Sequence, residues 1–244
     1  MDSHCILYNH VTSEQLSEAA DFFSANYGVW GQSAVTNMGP SIRAGARVKI
    51  SPKLLKQKIL PEGCENIIIR SYRGSRLIGI LFATKWIHRG ETMVWVTQLC
   101  VHCEHRHEGI ASSLLATFKK ELKDDVYDVG ILSSHPFSIS AVARVFGRGV
   151  EIVDLDTMKF DAREILASCP VKYVREAELY GALFEDSPVD GRVSCADTQF
   201  WVDHQEPDAA LKIIERRGIL WPLGHLPEGH EYLLIVKVGD TATS

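Results

Sequence analysis

One short polar turn of the chain has the residue types and spacing of an anion-binding site. Residues 106–109 follow an apolar run that ends at Val101, and an amphipathic helical pattern begins at Ile110. The first N–H groups of a helix have no internal partner, and the helix dipole favours negative charge there. Gly109 has no side chain, so the backbone can come close to a ligand. The spacing therefore predicts a binding site for a diphosphate.

The motif in this turn indicates which kind of diphosphate-containing ligand would bind. It is neither G-x-x-x-x-G-K-[ST] of nucleotide hydrolases nor the dinucleotide pattern G-x-G-x-x-G. It is R-x-x-G-x-A, from Arg106 to Ala111, after a strand that carries Leu99 and Val101. This pattern resembles the acetyl-CoA signature [RQ]-x-x-G-x-[GA] of the GNAT N-acetyltransferase superfamily. The resemblance implies acetyl-CoA as the acyl-donor co-substrate.

A second stretch resembles the same family. GNAT sequences run from the fifth strand through x-P-x-N-x-x-A into a helix, and residues 135–141 fit this pattern with Ser138 in the asparagine position. In the family, that asparagine helps to hold the pantetheine arm. Ser138 either takes this role or caps the helix, since serine is a preferred N-cap residue.

The resemblance implies two groups of CoA contacts. The backbone of Leu99 and Val101 would pair with the pantetheine amides like an added strand. The N–H groups of residues 107–112 would hold the diphosphate, and Arg106 would supply positive charge. The complete implied set is Leu99, Cys100, Val101, Arg106, His107, Glu108, Gly109, Ile110, Ala111, Ser112 and Ser138.

The usual catalytic residues of the family are missing. The position of the glutamate, four residues before Leu99, holds Trp95, and the position of the tyrosine holds Val145. We expect His135 and Ser134 to act instead, because Ser134 ends the predicted fifth strand, His135 follows it, and an imidazole pKa near 6.5 suits a general base. Alternatives are a water chain and the side chains of Thr97, Gln98, Ser133, Glu91, Glu108 and Tyr232.

Cysteines and histidines between Cys100 and His107 suggest a zinc site when they are taken alone. However, neighbouring residues of a strand, such as Leu99 and Cys100, point to opposite faces. No second ligand pair has the spacing of a zinc knuckle. We expect no metal site.

Composition excludes several classes of protein. The 244 residues are 45% hydrophobic and 23% charged, which is ordinary for a globular enzyme. The net charge of −5 gives no general reason to bind nucleic acid or an anionic membrane. There is no apolar run of about 18 residues, and the N-terminus does not resemble a signal peptide. The six cysteines are scattered, so we expect reduced thiols and a cytoplasmic protein.

Hydrophobic periodicity predicts the element order β-α-α-β-β-β-α-β-α, which the resemblance identifies as that of the GNAT fold. The fold class is therefore α/β (α+β), with a mixed central sheet flanked by helices and a C-terminal insertion. The predicted elements are a strand at 4–10, helices at 13–26 and 51–60, a hairpin at 66–72 and 76–87, a strand at 92–101, a helix at 110–122, a strand at 127–134 and a helix at 138–146.

The C-terminal third is predicted separately. We expect a strand at 151–160, a helical turn at 162–168, an extended segment at 171–184, a helix at 207–217 and a strand at 231–238. The late strand is favoured as the partner of the fifth strand. The chain is thus divided into a CoA-binding core at 1–160, an insertion on the substrate side at 161–230, and a final core strand and tail at 231–244.

The residues and the resemblance together predict an acetyl-CoA-dependent N-acyltransferase. We expect a small-molecule amine as acceptor, direct transfer in a ternary complex, and a monomer or homodimer. Alternatives are an inactive GNAT-fold sensor or scaffold that binds CoA, a protein lysine acetyltransferase, and a different acyl group. A looser resemblance, carried by residues 95–99 and 133–136, is to uncharacterised fungal GNAT-like proteins, and it implies no substrate.

Overall fold

A computed structural model describes residues 3–8, 11–122, 127–185 and 191–238. The elements are β1 (Ser3–Tyr8), α1 (Ser13–Asn26), α2 (Gln32–Met38), α3 (Pro52–Ile59), β2 (Glu65–Arg73), β3 (Arg76–His88), β4 (Glu91–Val101), α4 (Ile110–Leu122), β5 (Tyr127–Ser133), α5 (Pro136–Phe146), α6 (Leu155–Ser168), α7 (Lys172–Arg175), β6 (Glu178–Tyr180), β7 (Cys195–Phe200), α8 (Gln205–Arg216) and β8 (Gly229–Val238). Short 3₁₀ turns lie at Cys103–His105 and Val150–Ile152.

The strands form one mixed sheet in the order β1-β2-β3-β4-β5-β8-β7-β6. The pair β4–β5 is parallel, and the other described pairs are antiparallel. A parallel pair needs a crossover, and α4 supplies it. This confirms the predicted α/β class with a mixed sheet between helices.

The parallel pair separates along its length. β4 and β5 pair from Thr92 with Tyr127 to Val96 with Ile131, whereas β4 continues to Val101. At the same level the register between β3 and β4 shifts: Phe82 lies opposite Gln98 and Ala83 opposite Val96. Thr97 is therefore an extra residue, and such a bulge bends its strand. Beyond the bulge, the edge of β4 that faces β5 has no strand partner among the residues that the structure describes.

Helices cover both faces of the sheet. Helices α1 and α3 pack on the face that presents Ile80, Phe82 and Cys100. Helix α4 packs on the other face, where a Cβ atom added at Gly79 would lie 2.8 Å from the Ile110 side chain. Glycine at this position lets α4 approach β3 closely and fixes where its N-terminus begins.

The first two thirds of the chain follow the predicted element order, with one additional helix, α2. The Thr12 side chain caps α1 and forms a capping box with Gln15. The predicted first strand extends to residue 10, but residues 9 and 10 lie outside the described residues. The last helix of this part begins at Pro136, two residues before the predicted start.

Three predictions for the C-terminal third are wrong or incomplete. The predicted strand at 151–160 is instead a 3₁₀ turn followed by α6, which Asp154 caps through the N–H of Thr157. The predicted helical turn at 162–168 is the end of α6. The predicted extended segment at 171–184 contains α7 and only three strand residues.

The strand beside β5 is the late one, β8, in which Tyr232 lies opposite Ser133. Helix α6 continues across residue 160, and the division into a core and an insertion stays a prediction. Among the described helices, none has the length and apolar character needed to cross a bilayer.

Substitution of Gly130 by alanine tests the packing between β4 and β5. A Cβ atom there would lie 2.1 Å from the Trp95 ring, so we expect Gly130→Ala to lower the free energy of unfolding by about 3 kcal/mol. Gly28→Ala is the control, because a Cβ atom added at Gly28 would have no heavy atom within 4 Å. Chemical denaturation measures both, and equal stability of the two variants would contradict the contact between Gly130 and Trp95.

Candidate functional site

A cleft of about 490 Å³ opens where β4 and β5 separate. Its walls come from the ends of β4 and β5, the first turn of α4, one side of α5 and of α8, and the segment after α1. It brings together all but one of the predicted site residues: Leu99, Cys100, Val101, Arg106, His107, Gly109, Ile110, Ala111, Ser112, Ser134, His135 and Ser138. The exception is Glu108. Its carboxylate accepts a hydrogen bond of 2.5 Å from Arg73, which lowers its pKa.

The turn before α4 has two residues in the left-handed region, His107 with φ 63° and Gly109 with φ 80°. This conformation is uncommon for histidine and costs conformational energy, so the surrounding structure must hold it. The first helical hydrogen bond joins the Ser113 N–H to the Gly109 carbonyl. Earlier N–H groups of this turn have no partner within the helix, and they are available to an anion.

Arg106 is bound on two sides. Its Nη2 atom donates to the Asn26 carbonyl at the end of α1, at 2.7 Å, and it forms an ion pair with Glu206 of α8. The guanidinium thus joins three elements of the cleft. Glu206 supplies the negative charge that an anionic ligand would otherwise bring to this position.

The cleft is cationic although the chain carries a net charge of −5. Its lining contains the arginines Arg47, Arg106, Arg144 and Arg217, and the carboxylates Asp203 and Glu206. Cationic groups in a concave surface raise the local concentration of anions. The charge of this cleft therefore favours an anionic ligand more than the chain as a whole does.

His135, not Ser138, caps α5. The His135 Nδ1 atom accepts the N–H of Phe137 at 3.3 Å, and Ser138 lies inside the helix. The prediction that Ser138 could cap this helix is therefore wrong. Both Ser138 and Ser140 line the cleft, and the buried Ser140 hydroxyl has no hydrogen-bond partner among the described residues. That hydroxyl could bind a polar group of a ligand.

The cap and the surroundings of His135 argue against its predicted role as a base. Burial, followed by the charges of Arg106 and His107, lowers the pKa of His135 to about 4. Because Nδ1 accepts a hydrogen bond, the proton of the neutral ring is on Nε2, which lies 3.6 Å from Glu206. The lowered pKa and the hydrogen bond from Phe137 both disfavour His135 as a base at neutral pH. Ser134 is buried and lines the cleft beside it.

Most of the other acid–base candidates lie outside the cleft lining. Glu91 is exposed at the turn that begins β4. The Tyr232 hydroxyl donates to the Gly224 carbonyl at 3.3 Å, and neither residue lines the cleft. Thr97, Gln98 and Ser133 are buried, and of these only Ser133 lines the cleft.

In the segment 100–107, arginine side chains contact the histidines that a metal ion would need as ligands. Ligand atoms of His102, Glu104 and His105 lie within 4.8 Å of one another. However, Arg76 contacts His102 Nε2 at 3.0 Å, and Arg73 contacts His105 Nδ1 at 3.2 Å. These guanidinium groups disfavour a further cation.

Sequence reasoning missed Glu231, which is only 6% exposed. Burial is the largest cause acting on its carboxyl and raises the pKa to about 7. The Glu231 charge in turn contributes to raised pKa values of Tyr27 and Tyr173, for both of which burial is the largest cause. In the sequence, Glu231 occurs in an apolar strand pattern, and in the sheet it pairs with Ala196 of β7.

Comparisons with known proteins give only distant similarity. No protein-family model matches the chain, and no curated protein matches it. The structure is similar to that of the ribosomal-protein-S18-alanine N-acetyltransferase from Escherichia coli, with a TM-score of 0.38 and 11% identity, over 58% of this chain and 76% of that one.

Two further similar structures are also acetyltransferases. The PaiA N-acetyltransferase from Thermoplasma acidophilum, in complex with coenzyme A, has a TM-score of 0.35 and 15% identity, over 55% of this chain and 80% of that one. An aminoglycoside acetyltransferase from an uncultured soil metagenomic sample has a TM-score of 0.34 and 12% identity, with the same coverage of 55% and 80%. Such TM-scores and identities establish neither family nor activity, and the resemblance to fungal proteins stays a prediction.

The role of His135 as a helix cap is testable. We expect His135→Ala to lower the free energy of unfolding by about 1 kcal/mol, because the N–H of Phe137 loses its acceptor, whereas His135→Asn keeps a capping side chain. Thermal or urea unfolding of the two variants measures the difference.

A separate NMR titration should give a His135 pKa near 4. A pKa near 6.5 would restore His135 as a candidate base.

The burial of Glu231 predicts a pH-dependent stability. Since the folded-state pKa is raised from 4.5 to about 7, the folded chain binds more protons in this range, and stability decreases as pH rises through it. Glu231→Gln removes this effect. We expect the variant to gain about 3 kcal/mol relative to the unmodified chain between pH 4.5 and 7.5. Urea unfolding across this range tests it, with the exposed Glu228→Gln as control, and a constant difference would show that Glu231 is not buried.

Proposed function

We propose that the chain is an acyl-CoA-dependent N-acyltransferase of the GNAT superfamily, with acetyl-CoA as donor and a small-molecule amine as acceptor. One observation carries the proposal. A single cleft joins the unpaired edge of β4, at residues 99–101, to the glycine turn at the N-terminus of α4. An extended amide-bearing arm that ends in a diphosphate matches this pair of features, because an exposed strand edge binds amides and a helix N-terminus binds phosphate.

The residues of the cleft fit the donor. The turn at 107–112 would hold the diphosphate with backbone N–H groups. Leu99 and Val101 would pair with the pantetheine arm, and the unpartnered Ser140 hydroxyl could bind a polar group of that arm. Ser138 lies within the same wall. Arg106 would add positive charge while it connects α1 and α8.

Direct transfer in a ternary complex is supported by the state of the nearest cysteine. Burial, the largest cause, raises the pKa of the Cys100 thiol to about 12, so its thiolate is scarce at neutral pH. The thiolate is the nucleophilic form of cysteine. An acyl-enzyme intermediate on Cys100 is therefore disfavoured, and the amine attacks the thioester itself.

A small acceptor is favoured by the walls of the cleft. Val202, Glu206 and Ala210 from the C-terminal third lie across it, together with Gly28 and Val29 after α1. These walls restrict the space for an extended peptide. A sensor or scaffold that binds CoA without turnover is the second candidate, and it is favoured by Trp95 and Val145 in the positions of the usual glutamate and tyrosine.

Placing a negative charge in the glycine turn tests the donor site. Ser112→Glu adds a carboxylate at a cleft-lining position in the first turn of α4, where it would stabilise the helix but repel a diphosphate. We expect the affinity for acetyl-CoA, measured by isothermal titration calorimetry, to fall about tenfold or more. Ser113→Glu adds the same charge one residue later, outside the cleft lining. Equal affinities of the two variants would place the diphosphate elsewhere.

Turnover separates the two candidate functions. The enzyme should release CoA from acetyl-CoA in the presence of at least one member of a panel of primary amines. Tight binding of acetyl-CoA without CoA release on any amine, at any pH in the neutral to mildly alkaline range, would favour the sensor. A parallel panel of acyl-CoA thioesters identifies the transferred acyl group.

A further inference from the structure

One wall of the cleft is a short ladder of three chain segments, with residues 28–31 between residues 46–48 and 201–203. The antiparallel bridges that join them are Val29 with Arg47 and Trp30 with Val202. A hydrogen bond of 2.9 Å from the Asp203 N–H to the Val29 carbonyl extends the second pairing by one residue. Backbone hydrogen bonds therefore fix three distant parts of the chain relative to one another.

The two faces of this ladder have different surroundings. Residues directly opposite each other in an antiparallel pair point to the same face, and neighbours in sequence point to opposite faces. Trp30 and Val202 belong to an apolar cluster that includes part of α1. The opposite face therefore carries Arg47, Val29 and Asp203, and all three residues line the cleft.

Arg47 and Asp203 lie on the two sides of Val29. Paired Cα atoms of adjacent antiparallel strands are about 4.5 to 5.5 Å apart, so the Cα atoms of Arg47 and Asp203 are separated by about 10 Å. Between them, Val29 is half-buried and offers apolar surface. The ladder thus presents a cation and an anion to the cleft at a fixed spacing, with an apolar residue between them.

Neither of these two charges is neutralised by a neighbour. Among the described residues, the Arg47 side chain forms no hydrogen bond or ion pair, and the Asp203 carboxylate accepts only the N–H of Gln205, at 2.9 Å. By contrast, Glu206, which also lines the cleft, is paired with Arg106. A guanidinium and a carboxylate that are both unpaired in one concave surface favour a ligand with the complementary charges.

Two contacts hold the ladder beside the gap between β4 and β5. In the first turn of α8, which follows the ladder directly, Glu206 Oε1 lies 3.6 Å from Nε2 of His135, after the end of β5. The carbonyl of Asn26, just before the ladder, accepts a hydrogen bond of 2.7 Å from Arg106, after the end of β4. A ligand bound at the ladder is therefore in the same cleft as the unpaired edge of β4.

We infer that the acceptor is an amino acid, whose carboxylate binds Arg47 and whose ammonium binds Asp203. This inference rests on the proposed transferase activity and narrows the acceptor to amines that also carry a carboxylate. A guanidinium binds a carboxylate through two parallel hydrogen bonds, and a carboxylate binds an ammonium through charge-assisted ones. The separation of about 10 Å, reduced by the reach of the two side chains, suits a zwitterion whose charges lie a few atoms apart.

Reaction rates on matched acceptors test the inference. The panel contains the common amino acids, and each is compared with its carboxamide, which keeps the amine but lacks the negative charge. For the best amino acid, we expect the unmodified chain to have a kcat/KM at least about tenfold above that for the carboxamide, because a lost hydrogen bond between charged groups costs about this factor. CoA release measures the rates.

Variants assign the preference to the two residues. Arg47→Gln should raise KM for the amino acid about tenfold and leave its kcat unchanged, since binding alone is affected, and kcat/KM for the carboxamide should change less than about twofold. Asp203→Asn keeps an acceptor for the Gln205 N–H and should raise KM for both compounds, because both carry the ammonium. Arg43→Gln and Asp208→Asn, which remove exposed charges outside the cleft lining, are the matched controls and should keep both KM values.

Each outcome decides a separate point. The affinity for acetyl-CoA, measured by calorimetry, should stay within about twofold in all four variants, which shows that they are folded. Equal kcat/KM for amino acids and carboxamides in the unmodified chain would overturn the acceptor inference and leave the transferase proposal standing. A preference that persists in Arg47→Gln would overturn the assignment to this wall. Absence of CoA release with every amine would overturn the transferase proposal and the inference together.

Discussion

The separation of β4 from β5 is the constraint on which the rest of the site depends. Backbone N–H and C=O groups need hydrogen-bond partners, and a strand edge inside a protein rarely lacks them. Yet β4 continues to Val101 after its pairing with β5 ends at Val96. The extra residue Thr97 bends β4 away, and Tyr173 satisfies the Thr97 carbonyl. Among the described residues, no strand pairs with the remaining edge on this side of β4.

Elements on both faces of the sheet pack around this opening. On one face, Gly79 allows α4 to approach the sheet, and the left-handed turn at His107 and Gly109 directs the helix N-terminus into the cleft. On the other face, Tyr27 at the end of α1 lines the cleft, and the Tyr173 hydroxyl of α7 donates to the Thr97 carbonyl. The gap between β4 and β5 thus lies between elements that pack on both faces of the sheet.

The sequence was sufficient for features that depend on local patterns. The glycine turn, the parallel strands around α4 and the late strand at 231–238 all follow from periodicity and spacing. The helix at Leu155–Ser168 was missed because Val153, Leu155 and Phe160 resemble strand residues, whereas Asp154 as cap and later apolar residues at helical spacing determine the outcome. Glu231 could not be recognised, because its burial is produced by residues distant in sequence.

Binding of the acyl donor to the unpaired edge of β4 is the central claim, and a crystal structure with acetyl-CoA tests it most directly. We expect the pantetheine arm between β4 and β5, with hydrogen bonds to the backbone of Leu99 or Val101, and the diphosphate at the N-terminus of α4. A ligand bound outside this gap, or strands that close together in its presence, would contradict the claim.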